Sequence, residues 1–474
     1  MSQNTSILWF RHDLRLADNP ALSAAVKRGA VLPVFIFSTK EEVDWLEGGA
    51  SKWWLHQSIG ALAKRLEKLG VKLILRRGDS SKELQSLVRE TGASAVFWNR
   101  RYEPFAVDQE REITRHFQQA GMETQSFNSH LLFEPWKIEN KNGKPFRVFT
   151  PFWKTCLAAA QKIEKPLPPP AIIIAPIQWP KSLRLTELNL KPKLDWAKGF
   201  GKVWEPGEAG AQKNLQRFLR EAISGYEESR NRPDQIGTSR LSPHLHFGEV
   251  SPRQLWESIR RRKSNSSMKY LAEIGWREFS HHLLFHFPQT PTKPLQEKFE
   301  KFPWQKNAAW LSAWQRGQTG YPIVDAGMRE LWATGWMHNR VRMIVASFLI
   351  KDLLQPWQLG AHWFWDTLVD ADLANNTLGW QWSAGCGADA APFFRIFNPI
   401  TQGEKFDPKG DYVRRWIPEI AKLPDQWIHK PWQAPKEILA QANLKLGENY
   451  PEPIVSHAIA REVALERYAR IKKS

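Results

Sequence analysis

The sequence predicts an α/β domain built on a doubly wound, Rossmann-like parallel sheet, then a long connector and a large all-α domain. Three observations support this architecture. Short apolar runs alternate with helical patterns at the start of the chain, prolines concentrate between Lys165 and Pro180, and helical patterns dominate from Ala211 onward. We place the three segments at residues 1–134, 135–205 and 206–474. The length agrees, because 474 residues at ~150 per domain give two or three domains.

Four apolar runs in the first segment predict buried strands, at residues 7–10, 31–37, 71–75 and 95–98. Each run is β-branched or aromatic and too short for a helix. One face of an amphipathic helix is indicated by apolar residues spaced by three and four, namely Leu55, Ile59, Leu62, Leu66 and Leu69. Residues 80–90 and 108–120 predict further helices, and strands alternating with helices predict a parallel sheet. No G-x-G-x-x-G follows the first strand, so the usual dinucleotide fingerprint is absent.

The connector contains six prolines between Lys165 and Pro180, which exclude a regular helix there and predict a chain wrapped over the surface. The last segment is predicted to be helical at residues 212–228, 252–262, 267–287, 308–316, 322–334, 338–354 and 359–368. No repeat of fixed period is present. We therefore expect one large helical body at the C-terminal end.

Charge and composition narrow the class of protein. Lys and Arg number 67 against 49 Asp and Glu, a net charge of +18, which favours nucleic acid over an anionic membrane surface as partner, with a merely soluble basic surface as the alternative. No apolar run approaches the ~20 residues that cross a bilayer, and the N-terminus lacks a secretory signal. Two cysteines, Cys156 and Cys386, exclude a disulfide framework or zinc cluster. A reducing cytoplasm is the expected location.

Tryptophan is unusually abundant, with 25 residues, of which ten lie between Trp304 and Trp382. Buried indoles often only fill a core. The same rings also suit stacking on bases or on a planar cofactor.

A hydroxyl-rich loop at residues 237–243 offers backbone N–H and Ser/Thr hydroxyl groups to a phosphate, although an N-cap explains Ser242 equally well. Helical spacing places Glu273, Trp276 and Arg277 on one face, which joins an acid, a ring and a base. A surface ion pair beside a core indole is the plainer alternative for that face.

Two carboxylates and an amide, Asp370, Asp372 and Asn376, precede a pair of tryptophans. This pattern suits a helix cap, a metal site or recognition of the polar edge of a flat heterocycle. No histidine lies among these residues at ligand spacing, so we expect no metal.

Taken together, these segments resemble the photolyase and cryptochrome family over nearly the whole chain. The resemblance rests on ordered matches at residues 9–15, 238–242, 276–279, 319–325, 336–342, 370–382 and 394–399. Within the family the chain is most similar to the bacterial cyclobutane-dimer photolyases of class III, relatives of the plant cryptochromes, on residues 53–56, 98–104 and 428–431.

The resemblance implies a U-shaped FAD in the helical domain, reduced to FADH⁻ in its active form, with protein groups tuning the chemistry of the cofactor. Asp372 would bond the polar edge of the ring and Asn376 would face N5. Arg342 would pair with Asp370 beside the ring and favour an anionic reduced flavin, a helix-joining ion pair being the alternative. The implied FAD residues are Tyr226, Thr238, Ser239, Arg240, Leu241, Ser242, Trp276, Asn339, Arg342, Asp370, Ala371, Asp372 and Asn376.

The resemblance also implies that a damaged base pair is flipped out of DNA into a cavity beside the flavin. The implied catalytic residues are Glu273, Asn376, Trp276, Trp382 and Met343, of which the two tryptophans would stack on the lesion. Glu273 would donate a hydrogen bond, which requires a protonated carboxyl. The implied DNA contacts are Arg230, Glu273, Trp276, Arg277, Ser280, Asn339, Arg340, Trp382 and Gln402, and phosphate contacts make binding salt-dependent.

Three tryptophans, Trp380, Trp357 and Trp304, match the family's electron relay to photoexcited flavin, with core packing as the alternative. The resemblance further implies an antenna pigment, 5,10-methenyltetrahydrofolate, with 8-hydroxy-deazaflavin as the alternative. Candidate antenna residues are Trp98, Tyr102 and Glu103, for which strand-end packing is an equal explanation. Phe105 and Ala106 stand where the best-known folate pattern has an Asn–Glu pair.

The implied function is light-dependent repair of cyclobutane pyrimidine dimers in UV-damaged DNA, double- or single-stranded, by electron transfer from excited reduced FAD. Asn339 and Met343 replace the histidine pair of six-four photolyases, and Asn376 replaces the acid of plant cryptochromes. The alternatives are a blue-light photoreceptor without repair, a six-four photolyase, and a flavin- and nucleic-acid-binding module without photochemistry. We expect a monomer without membrane association, in the cytoplasm and at the nucleoid of a bacterium.

Overall fold

A computed structural model describes residues 4–38, 45–192, 195–390 and 394–472. Five strands form one parallel sheet in the order β3-β2-β1-β4-β5. They are β1 (Thr5–Phe10), β2 (Ala30–Phe37), β3 (Ile74–Arg77), β4 (Ala95–Asn99) and β5 (Glu123–Phe127). The helices that alternate with them are α1 (Pro20–Arg28), α2 (Gly49–Lys68), α3 (Ser80–Thr91) and α4 (Pro104–Gln119). The predicted doubly wound parallel sheet is confirmed.

The centre of the sheet explains why its strands read as continuous apolar runs. In β1, Trp9 pairs in register with Val34 of β2 and with Trp98 of β4, and all three side chains belong to the buried core. A strand covered on both faces has no polar face to show in the sequence. The strand order reverses between β1 and β4, which is where α/β sheets leave a crevice at the carboxyl ends of their strands.

Two strands differ from the prediction. The strand predicted at 71–75 joins the sheet only from Ile74 and continues to Arg77. Val71 and Leu73 are buried but precede the strand, so the apolar run begins before the strand does. Strand β5 and helix α1 were not predicted. The β5 sequence is polar, and its residues are exposed or half-buried, as in an edge strand, so it carries no apolar run.

The connector differs from the prediction in containing a helix. Helix α5 (Phe149–Ala158) buries Phe152, Trp153 and Cys156 on one face. This i, i+1, i+4 spacing is helical, and no proline interrupts it after the first turn. The proline-rich stretch is confirmed as non-helical, since residues 163–180, all of them described, contain neither helix nor strand.

The rest of the chain is helical, as predicted. Its helices are α6 (Phe200–Val203), α7 (Glu208–Arg217), α8 (Tyr226–Ser229), α9 (Ser242–His246), α10 (Pro252–Ile259), α11 (Asn265–His286), α12 (Ala308–Arg316), α13 (Pro322–Thr334), α14 (Asn339–Ser347), α15 (Trp357–Thr367), α16 (Leu373–Ala384), α17 (Pro399–Phe406), α18 (Asp411–Trp416), α19 (Lys436–Gln441) and α20 (His457–Lys472). Two helices predicted as single runs change pitch instead, because α7 and α14 each continue into a π-helical turn, at Phe218–Ala222 and Phe348–Asp352.

The chain divides into two compact units. The first comprises residues 1–221, 239–288 and 369–373, and so includes the sheet together with α9, α10 and α11. The second comprises residues 222–238, 289–368 and 374–474. The predicted boundaries at residues 134 and 205 stay a prediction. None of the helices in the described ranges is both long and apolar enough to traverse a bilayer.

Candidate functional site

A buried carboxylate faced by two histidines lies in the first unit. Oδ2 of Asp372 is 3.5 Å from Nε2 of His281 on α11 and 3.7 Å from Nδ1 of His246 on α9. Burial alone would raise the pKa of Asp372, but the two imidazoles hold it well below its usual value. Asp372 is therefore an ionised hydrogen-bond acceptor at neutral pH.

Further histidines extend this cluster. The ring of His130 lies 5.0 Å from that of His281, and the ring of His12 lies 4.7 Å from that of His246. Arg277 donates to the carbonyl and to Nε2 of His130, both at 2.7 Å. Burial, reinforced by the charge of Arg277, lowers the pKa of His130 well below its usual value, so this ring is neutral.

No sequence pattern indicates this cluster, because its five members come from five separate segments and share no local spacing. Ligand-type atoms of His130, His281 and Asp372 lie within 4.8 Å of one another, as they would around a metal. A guanidinium group only donates, however, so Nε2 of His130 is already used as the acceptor for Arg277. The positive charge of Arg277 also disfavours a cation at this position.

The hydroxyl-rich loop at residues 237–243 leads into α9, and its first serine is hydrogen-bonded. Ser239 Oγ accepts a hydrogen bond from the hydroxyl of Tyr270 at 3.0 Å. Arg240 adopts a left-handed backbone with φ of 54°. The N-cap of α9 is Leu241 and Ser242 is its first helical residue, so the N-cap interpretation of Ser242 is wrong. In the second unit, Tyr226 is buried and Thr238 half-buried, and the guanidinium of Arg230 lies 5.6 Å from the ring of Tyr226.

Trp276 on α11 ends a stack of three nearly parallel rings. It stacks on Phe149 of α5, with 3.8 Å between ring centroids and 8° between planes, and Phe149 stacks on Trp153 at 6.4 Å and 12°. Trp276 and Glu273 are half-buried, so both retain accessible surface. A wall built from packed rings is rigid, as a stacking platform for a base must be.

Two predicted DNA contacts on α11 are buried instead. The guanidinium of Arg277 is committed to His130, and the hydroxyl of Ser280 donates to the carbonyl of Arg277 at 2.8 Å. Both side chains are therefore engaged within the first unit, and DNA contact by Arg277 and Ser280 stays a prediction. Next to them, Glu278 accepts from the N–H groups of Leu132 and Phe133, and burial raises its pKa to about 7.

In the second unit, α14 begins with a run of predicted site residues. Asn339 is exposed, and the guanidinium of Arg340 donates to Asn231 Oδ1 at 2.7 Å and lies 4.5 Å from the ring of Phe406. Arg342 Nε donates to the carbonyl of Met337 at 2.8 Å. The pairing of Arg342 with Asp370 stays a prediction.

Met343 and Trp382, predicted to line the lesion pocket, do come together. They line a small cavity of about 20 Å³ with the buried Lys351 and with Arg395, whose guanidinium lies 5.8 Å from the Trp382 ring. On the helix that carries Trp382, Asn376 Nδ2 donates to the carbonyl of Ala361 at 3.1 Å. That bond fixes the amide so that its oxygen points away from Ala361.

Trp380 is buried, 5.0 Å from the ring of Phe364 and 6.3 Å from that of Trp314. A Cβ at Gly360 would overlap its indole, so α15 packs closely on the ring. Trp357 is buried and Trp304 packs on Phe302 at 4.3 Å. The relay through these three tryptophans stays a prediction, as do the remaining predicted positions, of which Ala371 is buried and Gln402 half-buried on α17.

The first unit contains a cavity of about 750 Å³ beside α4. Its wall includes Tyr102 and four arginines, Arg100, Arg101, Arg111 and Arg115. Of the other antenna candidates, Trp98 packs in the sheet core and Glu103 pairs with Arg101, which holds the pKa of that buried carboxyl at about 2. Strand-end packing therefore describes Trp98, and Tyr102 is the candidate that faces the cavity.

Comparison with known proteins gives matches over nearly the full length. Residues 6–171 match the family model described as DNA photolyase, and residues 270–470 match the FAD binding domain of DNA photolyase. The chain is 51% identical to the deoxyribodipyrimidine photo-lyase of Agrobacterium fabrum, over 99% of this chain and 98% of that protein. It is 42% identical to cryptochrome-1 of Arabidopsis thaliana, over 96% of this chain and 68% of that protein. The crystal structure of a class III photolyase from Agrobacterium tumefaciens superposes with a TM-score of 0.96 at 50% identity, covering 100% of this chain and 99% of that one.

Proposed function

Because the chain belongs to the DNA photolyase and cryptochrome family, we propose that it is a deoxyribodipyrimidine photo-lyase, which repairs cyclobutane pyrimidine dimers in DNA under light. The observation that carries this proposal is the full-length likeness to a class III photolyase, at a TM-score of 0.96 and 50% identity. The net charge of +18 supports DNA as partner. We further propose that the protein acts as a monomer on nucleoid DNA in the cytoplasm.

The residues present fit a flavin. Asp372 is an ionised acceptor suited to the N–H on the polar edge of the isoalloxazine, and the fixed amide of Asn376 leaves its oxygen available for the proton on N5. The loop from Thr238 to Ser242 offers hydroxyl and N–H donors to the diphosphate. When bound, reduced FAD supplies the excited-state electron that splits the cyclobutane ring and is then returned.

The protein's own part is to hold the lesion and to exclude water. Trp276 is stiffened from behind by Phe149 and offers its free ring surface to the damaged bases. In the second unit, Met343 and Trp382 line one cavity and are the other apolar side chains that we propose for lesion binding. Glu273 is half-buried on the same helix as Trp276 and, in its protonated form, donates to the carbonyl oxygens of the dimer. A lesion is already poorly paired, so flipping it costs less free energy than flipping an intact base.

We also propose that the cavity of about 750 Å³ in the first unit holds the antenna pigment. Arg100 and Arg101 in its wall are already paired with Glu134 and Glu103. Arg111 and Arg115 are therefore the groups we propose for the carboxylates of a folate tail, and Tyr102 and Trp136 offer rings to its heterocycle. A deazaflavin with an anionic side chain satisfies the same chemistry, and the absorption maximum of the pigment distinguishes the two.

The test is a repair assay. Reduced protein is mixed with an oligonucleotide that carries thymine dimers, illuminated with blue light, and followed by the absorbance of restored thymine near 260 nm. We expect recovery under light and none in the dark. Bound FAD without recovery would identify a photoreceptor instead, and recovery only with six-four photoproducts would reassign the substrate.

A further inference from the structure

We propose that His246 and His281 are positioning residues that hold Asp372 ionised and aimed as the acceptor for the N–H edge of the flavin. This inference rests on the proposed function, because it gives Asp372 its flavin ligand.

The geometry is convergent. Nε2 of His281 and Nδ1 of His246 approach the same oxygen, Oδ2 of Asp372, at 3.5 and 3.7 Å. The two rings come from different helices, α11 and α9, and are 1% and 4% exposed. Among the described residues, no ring nitrogen of either histidine has a hydrogen-bond partner. A buried polar ring without a partner is costly, so the carboxylate between the two rings is the feature that accounts for their position.

The other titratable and charged groups around this cluster do not take over the role of His246 and His281 toward Asp372. His130 and His12 lie behind His281 and His246, and burial lowers the pKa of both, that of His12 to about 4, so both rings are neutral. Arg277 is bound to His130 and Glu47 to His12. Asp370, two residues before Asp372, is itself an acid and so cannot supply a positive charge to its neighbour.

The protonation state of Asp372 decides which flavin atom it recognises. An ionised carboxylate accepts a hydrogen bond from an N–H group, whereas a protonated one presents a competing donor. A buried carboxylate without a compensating charge takes up a proton. The two histidines therefore control whether this position accepts or donates, although neither needs to touch the flavin.

The experiment measures Asp372 and FAD binding separately. Infrared difference spectra at pH 7 compare each protein with the same protein carrying Asp372→Asn, which isolates the carboxyl band of Asp372. FAD affinity is measured by titration of apoprotein, from the quenching of flavin fluorescence between pH 6 and 9. The variants are His246→Gln, His281→Gln, the double variant, and His281→Arg, which restores a positive charge. His286→Gln is the matched control, since His286 lies on α11 but bonds to the carbonyl of Pro135.

We expect wild type and His286→Gln to show ionised Asp372 and the same FAD affinity. The double variant is expected to show the band of a protonated carboxyl and about tenfold weaker FAD binding, the value of a lost charged hydrogen bond. His281→Arg, which places a permanently charged donor beside Asp372, is expected to keep Asp372 ionised and to retain FAD affinity close to that of wild type. Far-UV circular dichroism and melting temperature establish that each variant is folded, and the single variants serve if the double variant is not.

The proposal is overturned if Asp372 stays ionised in folded double or single glutamine variants and FAD affinity changes less than twofold. In that case the proposed function still stands, provided that wild-type protein binds FAD and repairs dimers. Failure of the wild-type protein to bind FAD would instead count against the proposed function itself.

Discussion

The ring of Phe149 lies directly against that of Trp276, with 3.8 Å between centroids and 8° between planes. Phe149 belongs to α5, a helix in the connector, and Trp276 to α11. The connector therefore does more than join two parts of the chain, because it supplies the backing of a ring that we propose stacks on the lesion.

Replacing Phe149 is expected to weaken recognition of damage. Phe149→Ala removes the stacked partner and lets Trp276 move, so we expect a loss of about 1 kcal/mol in the preference for dimer-containing over intact duplex. The measurement is fluorescence anisotropy with the two duplexes. Phe149→Leu keeps apolar volume without a ring and is expected to fall between the alanine variant and wild type. An unchanged preference in Phe149→Ala would remove the backing role.

Trp380 is expected to carry electrons to the flavin without taking part in repair. Trp380→Phe keeps the packing against Phe364 and Trp314 but removes the readily oxidised indole. We expect photoreduction of oxidised FAD to be blocked, while chemically reduced enzyme still repairs dimers. Time-resolved flavin absorbance measures the first and thymine recovery the second. Trp427→Phe, a half-buried tryptophan with no assigned role, is the control. Wild-type photoreduction kinetics in Trp380→Phe would refute the relay assignment.

Glu278 is expected to make the free energy of unfolding depend on pH. Burial raises its pKa from 4.5 to about 7 in the folded state, so its contribution is most favourable below pH 4.5 and is lost as pH rises through 7. Glu278→Gln removes the charge and keeps an oxygen for the two N–H donors. Between pH 5 and pH 8, we expect the free energy of unfolding of the variant to rise by about 2.5 kcal/mol relative to that of wild type. Urea unfolding of both proteins at both pH values measures this change. If the free energies of unfolding of variant and wild type differ by the same amount at pH 5 and pH 8, Glu278 does not titrate in this window.

Binding of the antenna pigment in the cavity of the first unit is expected to depend on arginines in the cavity wall. The double variant Arg111→Glu and Arg115→Glu reverses two charges in the wall of the cavity and is expected to lower pigment occupancy while FAD content stays at one per chain. The ratio of the additional near-ultraviolet or violet band to the flavin band measures this. Arg89→Glu, on the exposed face of α3, is the control. Full occupancy in the double variant would place the pigment elsewhere.

The sheet was largely predictable, because buried parallel strands leave continuous apolar runs such as those containing Trp9, Val34 and Trp98. Strand β5 was not, since its edge position tolerates the polar sequence of Glu123–Phe127. Helix α5 was obscured by the prolines that follow it, although Phe152, Trp153 and Cys156 have helical spacing. Propensity and periodicity are local signals, whereas the formation of β5 and α5 depends on their packing against the rest of the fold.

The candidate site was predictable only where its residues belong to recognisable sequence motifs. Met343 and Trp382 were named from family motifs, and both line one cavity. His246 and His281, in contrast, reach Asp372 from segments separated by many residues, and nothing in their local sequence indicates a carboxylate partner. The burial of Arg277 was likewise hidden, because its partner His130 lies in the first part of the chain.

The most direct test of the central claim is product analysis of two matched oligonucleotides, one with a single cyclobutane thymine dimer and one with a six-four photoproduct at the same site. Each is incubated with chemically reduced protein, in blue light or in the dark, and separated by chromatography. We predict restored thymines from the cyclobutane dimer in the light and from nothing else. An unchanged dimer after illumination of protein with bound, reduced FAD would contradict the assignment.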